Sequence, residues 1–156
     1  MKNLILFLSI TISAGLLSTN IYNSLVDARS WGNDIPASIQ TTRDYFKVVN
    51  PGTFFRVFSP ANQVMALLVL ILFWKTSPTI RLYLGIALLL YVLNDVLTFA
   101  YFYPRNDLMM KTPLAEVQKI QKAWMEWSEV NWIRSMICLV GLAFSFLSLL
   151  KIYELK

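Results

Sequence analysis

Two ionisable side chains, Asp95 and Arg134, lie well inside long apolar runs of this chain. A charge in hydrocarbon is costly and rarely faces lipid, so such residues mark sites or helix contacts. Asp95 precedes the end of its run at Tyr103 by eight residues, a depth of roughly 12 Å on a helix. Its helical neighbours on one face are Tyr91, Thr98 and Phe102, and Asn94 adjoins it. Arg134 lies about one turn inside its own run, on the face that carries Asn131, Trp127 and Trp124. Asn20 and Asn23, near the end of a first run, fall at the same depth, as do Asn62 and Gln63 at the start of a second. Arg134 offers a planar set of donors for an anionic oxygen, and Asp95 offers acceptors that orient a hydroxyl or move a proton. Two readings of this layer are open. In one it is a small outward-facing polar chamber for an amphipathic aromatic or lipid-like molecule. Asp95 and Arg134 are then its reactive pair, and Asn20, Asn62, Gln63, Tyr91, Asn94, Thr98 and Asn131 bind the ligand. In the other, Asp95 and Arg134 form a buried ion pair that fixes helix register, and the amides bond between helices.

The residue types that are missing narrow the chemistry further. The chain has no histidine, and Cys138 is its single cysteine. Internal disulfides, Cys/His zinc sites, histidine-ligated haem and histidine-dependent triads are thereby excluded. No metal or other cofactor is expected. Glu126 and Glu129 read as a solvated face, and the six methionines form no repeated copper-binding pattern. Cys138, deep in an apolar run, reads as a packing residue. Thr11 and Gly15 make a small-xxx-small pair suited to helix packing. The formal charge is +5, but the basic residues are spread singly between apolar runs, which argues against nucleic acid as a partner.

With 56% hydrophobic and 15% charged residues and a mean hydropathy of +0.53, the solvent that suits this chain is a lipid bilayer. Four spans are legible, at residues 4–26, 60–74, 79–103 and 130–152. Lys2, the apolar residues 4–8 and the small residues Ser13, Ala14 and Gly15 also resemble a signal peptide. The apolar run continues well past Gly15, however, and reads as an uncleaved span. Ile35, Ile39, Phe46 and Val49 recur at helical spacing and predict an amphipathic surface helix over 36–49, ended by the turn Asn50-Pro51-Gly52. Ser59-Pro60 reads as the N-cap and first position of the second span, and Pro104-Arg105-Asn106-Asp107 as the break of the third. Thr112-Pro113 opens a helix over 113–128 with Leu114, Val117, Ile120, Trp124 and Trp127 on its apolar face. No glycine or proline separates it from the last span, so the two either form one long projecting helix or bend near Ser128. The expected fold is all-α: a single-domain integral membrane four-helix bundle over 1–156, with amphipathic surface helices on the outer side. Its outer half is polar, and its inner half is nearly all Leu, Ile, Val and Phe.

Lys2, Lys75, Arg81, Lys151 and Lys156 fall on one side against the single anion Glu154, whereas the other side holds nine cations and eight anions. The positive-inside tendency then makes both termini cytoplasmic, in what reads as a bacterial inner membrane. Trp124, Trp127 and Trp132 suit an outer aromatic belt and Trp74 an inner one.

The order of these pieces resembles the anthrone oxygenase-like family of small four-span membrane proteins. The resemblance rests on Ala14-Gly15-Leu16, on Asn50-Pro51-Gly52-Thr53-Phe54-Phe55, on Tyr103-Pro104-Arg105-Asn106-Asp107, and on Trp127 with Asn131 and Arg134. It implies a cofactor-independent oxygenase of anthrone-like phenols, in which a deprotonated, electron-rich substrate reacts with O2 directly. Members of the family often carry a histidine where this chain has Asn131, and asparagine cannot serve as a general base. Asp95 is then the candidate base at that depth, a role that pairing with Arg134 would oppose. The alternative is a non-catalytic accessory or structural subunit, docked through the surface helices to a larger membrane complex or to further copies of itself.

Overall fold

Hydrocarbon offers a chain no water to satisfy its backbone, so each apolar run closes its own N–H···O=C bonds as a helix. In the computed structural model, which describes residues 1–155, there is no strand among the described residues. Helix α1 spans Lys2–Gly32, α2 Ala37–Tyr45, α3 Pro51–Phe73, α4 Pro78–Lys111 and α5 Val117–Glu154. All but α2 are long and apolar enough to cross a membrane. The four long helices form the expected all-α bundle, with α1 on α3, α3 on α4, α4 on α5 and α5 back on α1. Much of their apolar surface faces outward. Only 17% of the most apolar stretch of α4 is buried, and Leu82, Leu89 and Phe99 stand exposed, a surface that lipid covers and water would not.

Helices α1, α4 and α5 hold 31, 34 and 38 residues, about 46 to 57 Å by the α-helical rise. The hydrocarbon is only roughly 30 Å thick. The excess of all three collects at the end of the bundle away from the chain termini, where α2 packs over it with Ile39 wholly buried. This cap has a core of its own, built from Ala28, Trp31, Ile39, Phe102, Met109, Ile120, Ala123 and Trp127. Polar ties close it. The Trp124 indole donates to the Ala28 carbonyl at 2.7 Å, the Arg43 guanidinium donates to the carbonyls of Met109 and Thr112, and Arg105 pairs with Glu126 at 3.0 Å. At Gly32 a Cβ would collide with the Trp124 ring, so only glycine allows α1 to meet α5 there. The opposite end is held by Leu6, Ile10, Val69, Phe73, Ile80, Leu84, Leu142, Leu149 and Ile152.

Several boundaries depart from the sequence reading, each for a local reason. The helix that carries the second span starts at Pro51, not Pro60, because extended Asn50 is its N-cap and Pro51 fills the first helical position. Pro60 sits inside α3 and forgoes the bond its own N–H would have made to the carbonyl of Arg56. Pro104 does not break the third span. Thr98–Phe102 is a π turn in which Tyr103 donates to the Thr98 carbonyl, and this wider register lets α4 run on past the proline. A second π turn, Asn23–Asp27, carries α1 beyond its expected end. Helix α2 stops at Tyr45, and Val48 and Val49, 93% and 59% exposed, lie off its apolar face. Pro113 sits in a turn closed by the Glu116 N–H on its carbonyl, so α5 begins at Val117 and passes Ser128 without a break. The inner half is also less apolar than expected. Ser9, Ser145 and Ser148 are buried there, and Ser13 donates to Asn62 across α1 and α3 at 2.6 Å. Cys138 packs in the bundle interior at 1% exposure.

Candidate functional site

Because α3 is helical from Pro51, Ser59 and Gln63 stand one turn apart on the face turned to α4. Both donate to Asp95: Ser59 through its hydroxyl to one carboxylate oxygen, and Gln63 through its amide to the other at 2.5 Å. Asp95 therefore ties α4 to α3. No ion pair joins it to Arg134 among the described residues, so the register-fixing pair is not what holds these helices.

Arg134 is 5% exposed, and its Nε and Nη2 have no acceptor. Rings surround it instead. Its Cζ is 4.3 Å from the centroid of Phe102, 5.1 Å from Phe55 and 6.0 Å from Trp127. The first of these rings is delivered by the π turn of α4. Ring faces offset part of the cost of burying a cation but give its N–H groups no acceptor.

Two cavities adjoin the guanidinium. The smaller, of about 300 Å³, is bounded by Asn20, Ser59, Asn94, Asp95 and Thr98. The larger, of about 590 Å³, lies under the cap among Trp31, Phe46, Phe102 and Trp127. Arg134, Phe55, Arg56, Thr98 and Tyr103 line both and form their common wall. Among the described residues, the buried side-chain atoms without a hydrogen-bond partner gather in the same region: Asn20 Oδ1, Asn94 Oδ1, Asn131 Oδ1, Trp127 Nε1, and Nε and Nη2 of Arg134. Orphaned buried polar atoms are uncommon, and these cluster beside the two cavities.

Of the residues singled out by type and depth, Asn20, Asn94, Asp95, Thr98 and Arg134 come together around the smaller cavity. Of the rest, Asn23 lines the larger cavity, whereas Asn62, Gln63, Tyr91 and Asn131 line neither. Asn62 accepts from Ser13, Gln63 holds Asp95, and Tyr91, 3% exposed, bonds Ser145 at 3.0 Å. Asn131 is fully buried and donates to the Asn20 carbonyl and to Ser24 Oγ at 3.1 and 2.6 Å. It bridges α5 to α1 where the family resemblance leads one to expect a histidine. Phe55, Phe102 and Trp127, the cage of Arg134, were not visible as a group. In the sequence Phe102 and Trp127 fall on the faces of Asp95 and Arg134 separately, and only α3 starting at Pro51 brings Phe55 to them.

No curated protein and no solved structure matches this chain. A family model does: that of anthrone oxygenase, over residues 53–144.

Proposed function

We propose that this chain, which belongs to the anthrone oxygenase family, is an integral membrane protein that binds the anionic oxygen of a small amphipathic aromatic molecule at Arg134. The observation that carries this reading is the guanidinium itself, buried without an acceptor at the wall of two cavities. An unpaired buried charge is costly, and a ligand oxyanion that accepts its N–H bonds removes that cost. The three rings around Arg134 favour a flat, aromatic occupant. Positive charge at this point also favours the ionised form of a bound phenol or enol over the neutral one. For an anthrone-like substrate that ionised form is the electron-rich species able to meet O2. Asp95, held from α3 by Ser59 and Gln63, presents an acceptor edge that orients a ligand hydroxyl in the smaller cavity. The excess of cations beside the termini supports a reading in which both termini are cytoplasmic, in a bacterial inner membrane, and the cavities face outward.

The test is mass spectrometry of small molecules that copurify in mild detergent with the wild type and with Arg134→Gln. The expected outcome is an aromatic anion enriched with the wild type and lost from a variant that unfolds at no lower temperature. Equal retention by the two proteins, or no enriched molecule in the wild type, would sink the proposal and favour an accessory subunit.

A further inference from the structure

We infer that the ring system of the ligand lies in the larger cavity under the cap, and that the Trp127 indole N–H is a second donor to the oxyanion held by Arg134. This rests on the reading of Arg134 as the anion-binding residue.

Trp127 is 3% exposed, and its Nε1–H has no acceptor. The fold provides for the neighbouring indole, since Trp124 donates to the Ala28 carbonyl at 2.7 Å, and an exception one turn away therefore calls for a cause. Trp127 lines the larger cavity and not the smaller, and its ring lies 6.0 Å from Arg134 Cζ. The two residues thus line one cavity side by side, and each carries a buried donor without a partner. The smaller cavity is lined instead by Asn20 and Asn94, each with an unpartnered acceptor oxygen, and by Asp95. Those oxygens repel an oxyanion and accept from a hydroxyl. An oxyanion at the shared wall, with its ring toward the donors and a hydroxyl toward the acceptors, satisfies both sets. The larger cavity also has the walls for a ring. Trp31 packs on Trp127 at 5.0 Å between centroids, Phe102 meets Trp127 edge-on at 5.7 Å, and Phe46 meets Trp31 at 6.3 Å. At about 590 Å³ it lies inside the usual range for sites of drug-sized molecules, whereas the smaller one is at the bottom of that range. The two walls accordingly suit a planar aromatic molecule carrying one ionised oxygen and at least one hydroxyl.

The experiment uses the full chain in mild-detergent micelles, with dihydroxyanthraquinone as the probe. This planar phenol is stable to O2, and its absorption moves to longer wavelength on ionisation. The wild type should bind it in the ionised form. Trp127→Phe keeps the ring and removes the N–H; it should bind roughly tenfold more weakly and move the ionisation of the bound probe to higher pH. Trp132→Phe, at an exposed position, should match the wild type. Asn106→Trp, which fills the larger cavity, should abolish binding, whereas Leu16→Phe, which narrows only the smaller one that the hydroxyl enters, should weaken it without abolishing it. The two cavity variants decide the matter if Trp127→Phe does not fold. Unchanged affinity and ionisation in Trp127→Phe, or binding lost in Leu16→Phe but kept in Asn106→Trp, would overturn the inference. If Arg134→Gln alone loses the probe, the inference falls and the Arg134 reading stands. A wild type that takes up no probe overturns both.

Discussion

The two halves of the bundle treat buried polar groups in opposite ways. From the termini up to the Ser13–Asn62 and Tyr91–Ser145 bonds, buried hydroxyls find partners: Ser148 donates to the Ser145 carbonyl, and Ser145 to that of Gly141. From Asn20 upward toward the cap, six buried polar atoms have none, and both cavities lie at that level. The helices and the solvent are the same, so the difference lies in what the polar groups are for. In the lower half they hold helices together, which in lipid is the work of small residues and short hydrogen bonds. In the upper half Asp95 and Asn131 also tie helices together, and on the reading proposed for Arg134 the unpartnered atoms meet a ligand.

The substitution that should break this contrast most sharply is Arg134→Met, which keeps length and removes charge. Ligand retention should fall by about two orders of magnitude, given the loss of charge-assisted bonds worth about 1.5–3 kcal/mol each. Thermal stability in micelles should rise, because replacing buried charge with apolar packing commonly contributes about 1–4 kcal/mol. A protein that instead loses several kcal/mol would mean that Arg134 is satisfied by its own chain, and the upper half would then resemble the lower.

Gly32→Ala tests whether the cap keeps the larger cavity in shape. The added Cβ would overlap the Trp124 indole, and overpacking of this kind costs about 1–3 kcal/mol. Ligand affinity should fall with stability, since Trp31 and Trp127 line that cavity from the same two helices. Gly15→Ala is the matched comparison. Nothing lies within 4 Å of its Cβ position, so a gain of up to ~1 kcal/mol from helix propensity is expected. Thermal unfolding of the two variants, with and without bound probe, separates the cases.

These contrasts were only partly legible in the sequence. The spans were, because lipid demands long apolar runs and this chain has four. Asp95 and Arg134 stood out singly, each as a charge at depth. Their partners did not. Two prolines preceded by capping residues compete to start α3, and the choice of Pro51 lengthens the helix so that Ser59 and Gln63 meet Asp95. The π turns at Asn23–Asp27 and Thr98–Phe102 have no residue signature, yet one of them sets the azimuth of Phe102 over Arg134. Trp127 reads equally well as an interfacial anchor and as a cage residue, and only packing tells them apart.

In the lower half the expected effects are smaller and confined to stability. Ser13→Ala leaves the buried Asn62 oxygen without its donor and should cost about 1 kcal/mol with ligand retention unchanged.

Tyr91→Phe should cost less still, about 0.6 kcal/mol. The Tyr91 hydroxyl shares a bond with Ser145 Oγ at 3.0 Å, but Ser145 also donates to the Gly141 carbonyl at 3.2 Å. Removing the phenol oxygen therefore strands no buried donor. The ring stays where it is, close against the backbone at Gly141, where a Cβ would come within 2.7 Å of it. Trp127→Phe is the mirror case, with its effect on binding and little on stability. The pair sets the boundary between the halves. If Tyr91→Phe loosened the ligand, the functional layer would extend down to mid-bundle, as residue type and depth alone suggest. If it shifts only the unfolding temperature, the layer ends above Tyr91, and what separates the two ends is whether a buried polar group has a partner, not how deep it lies.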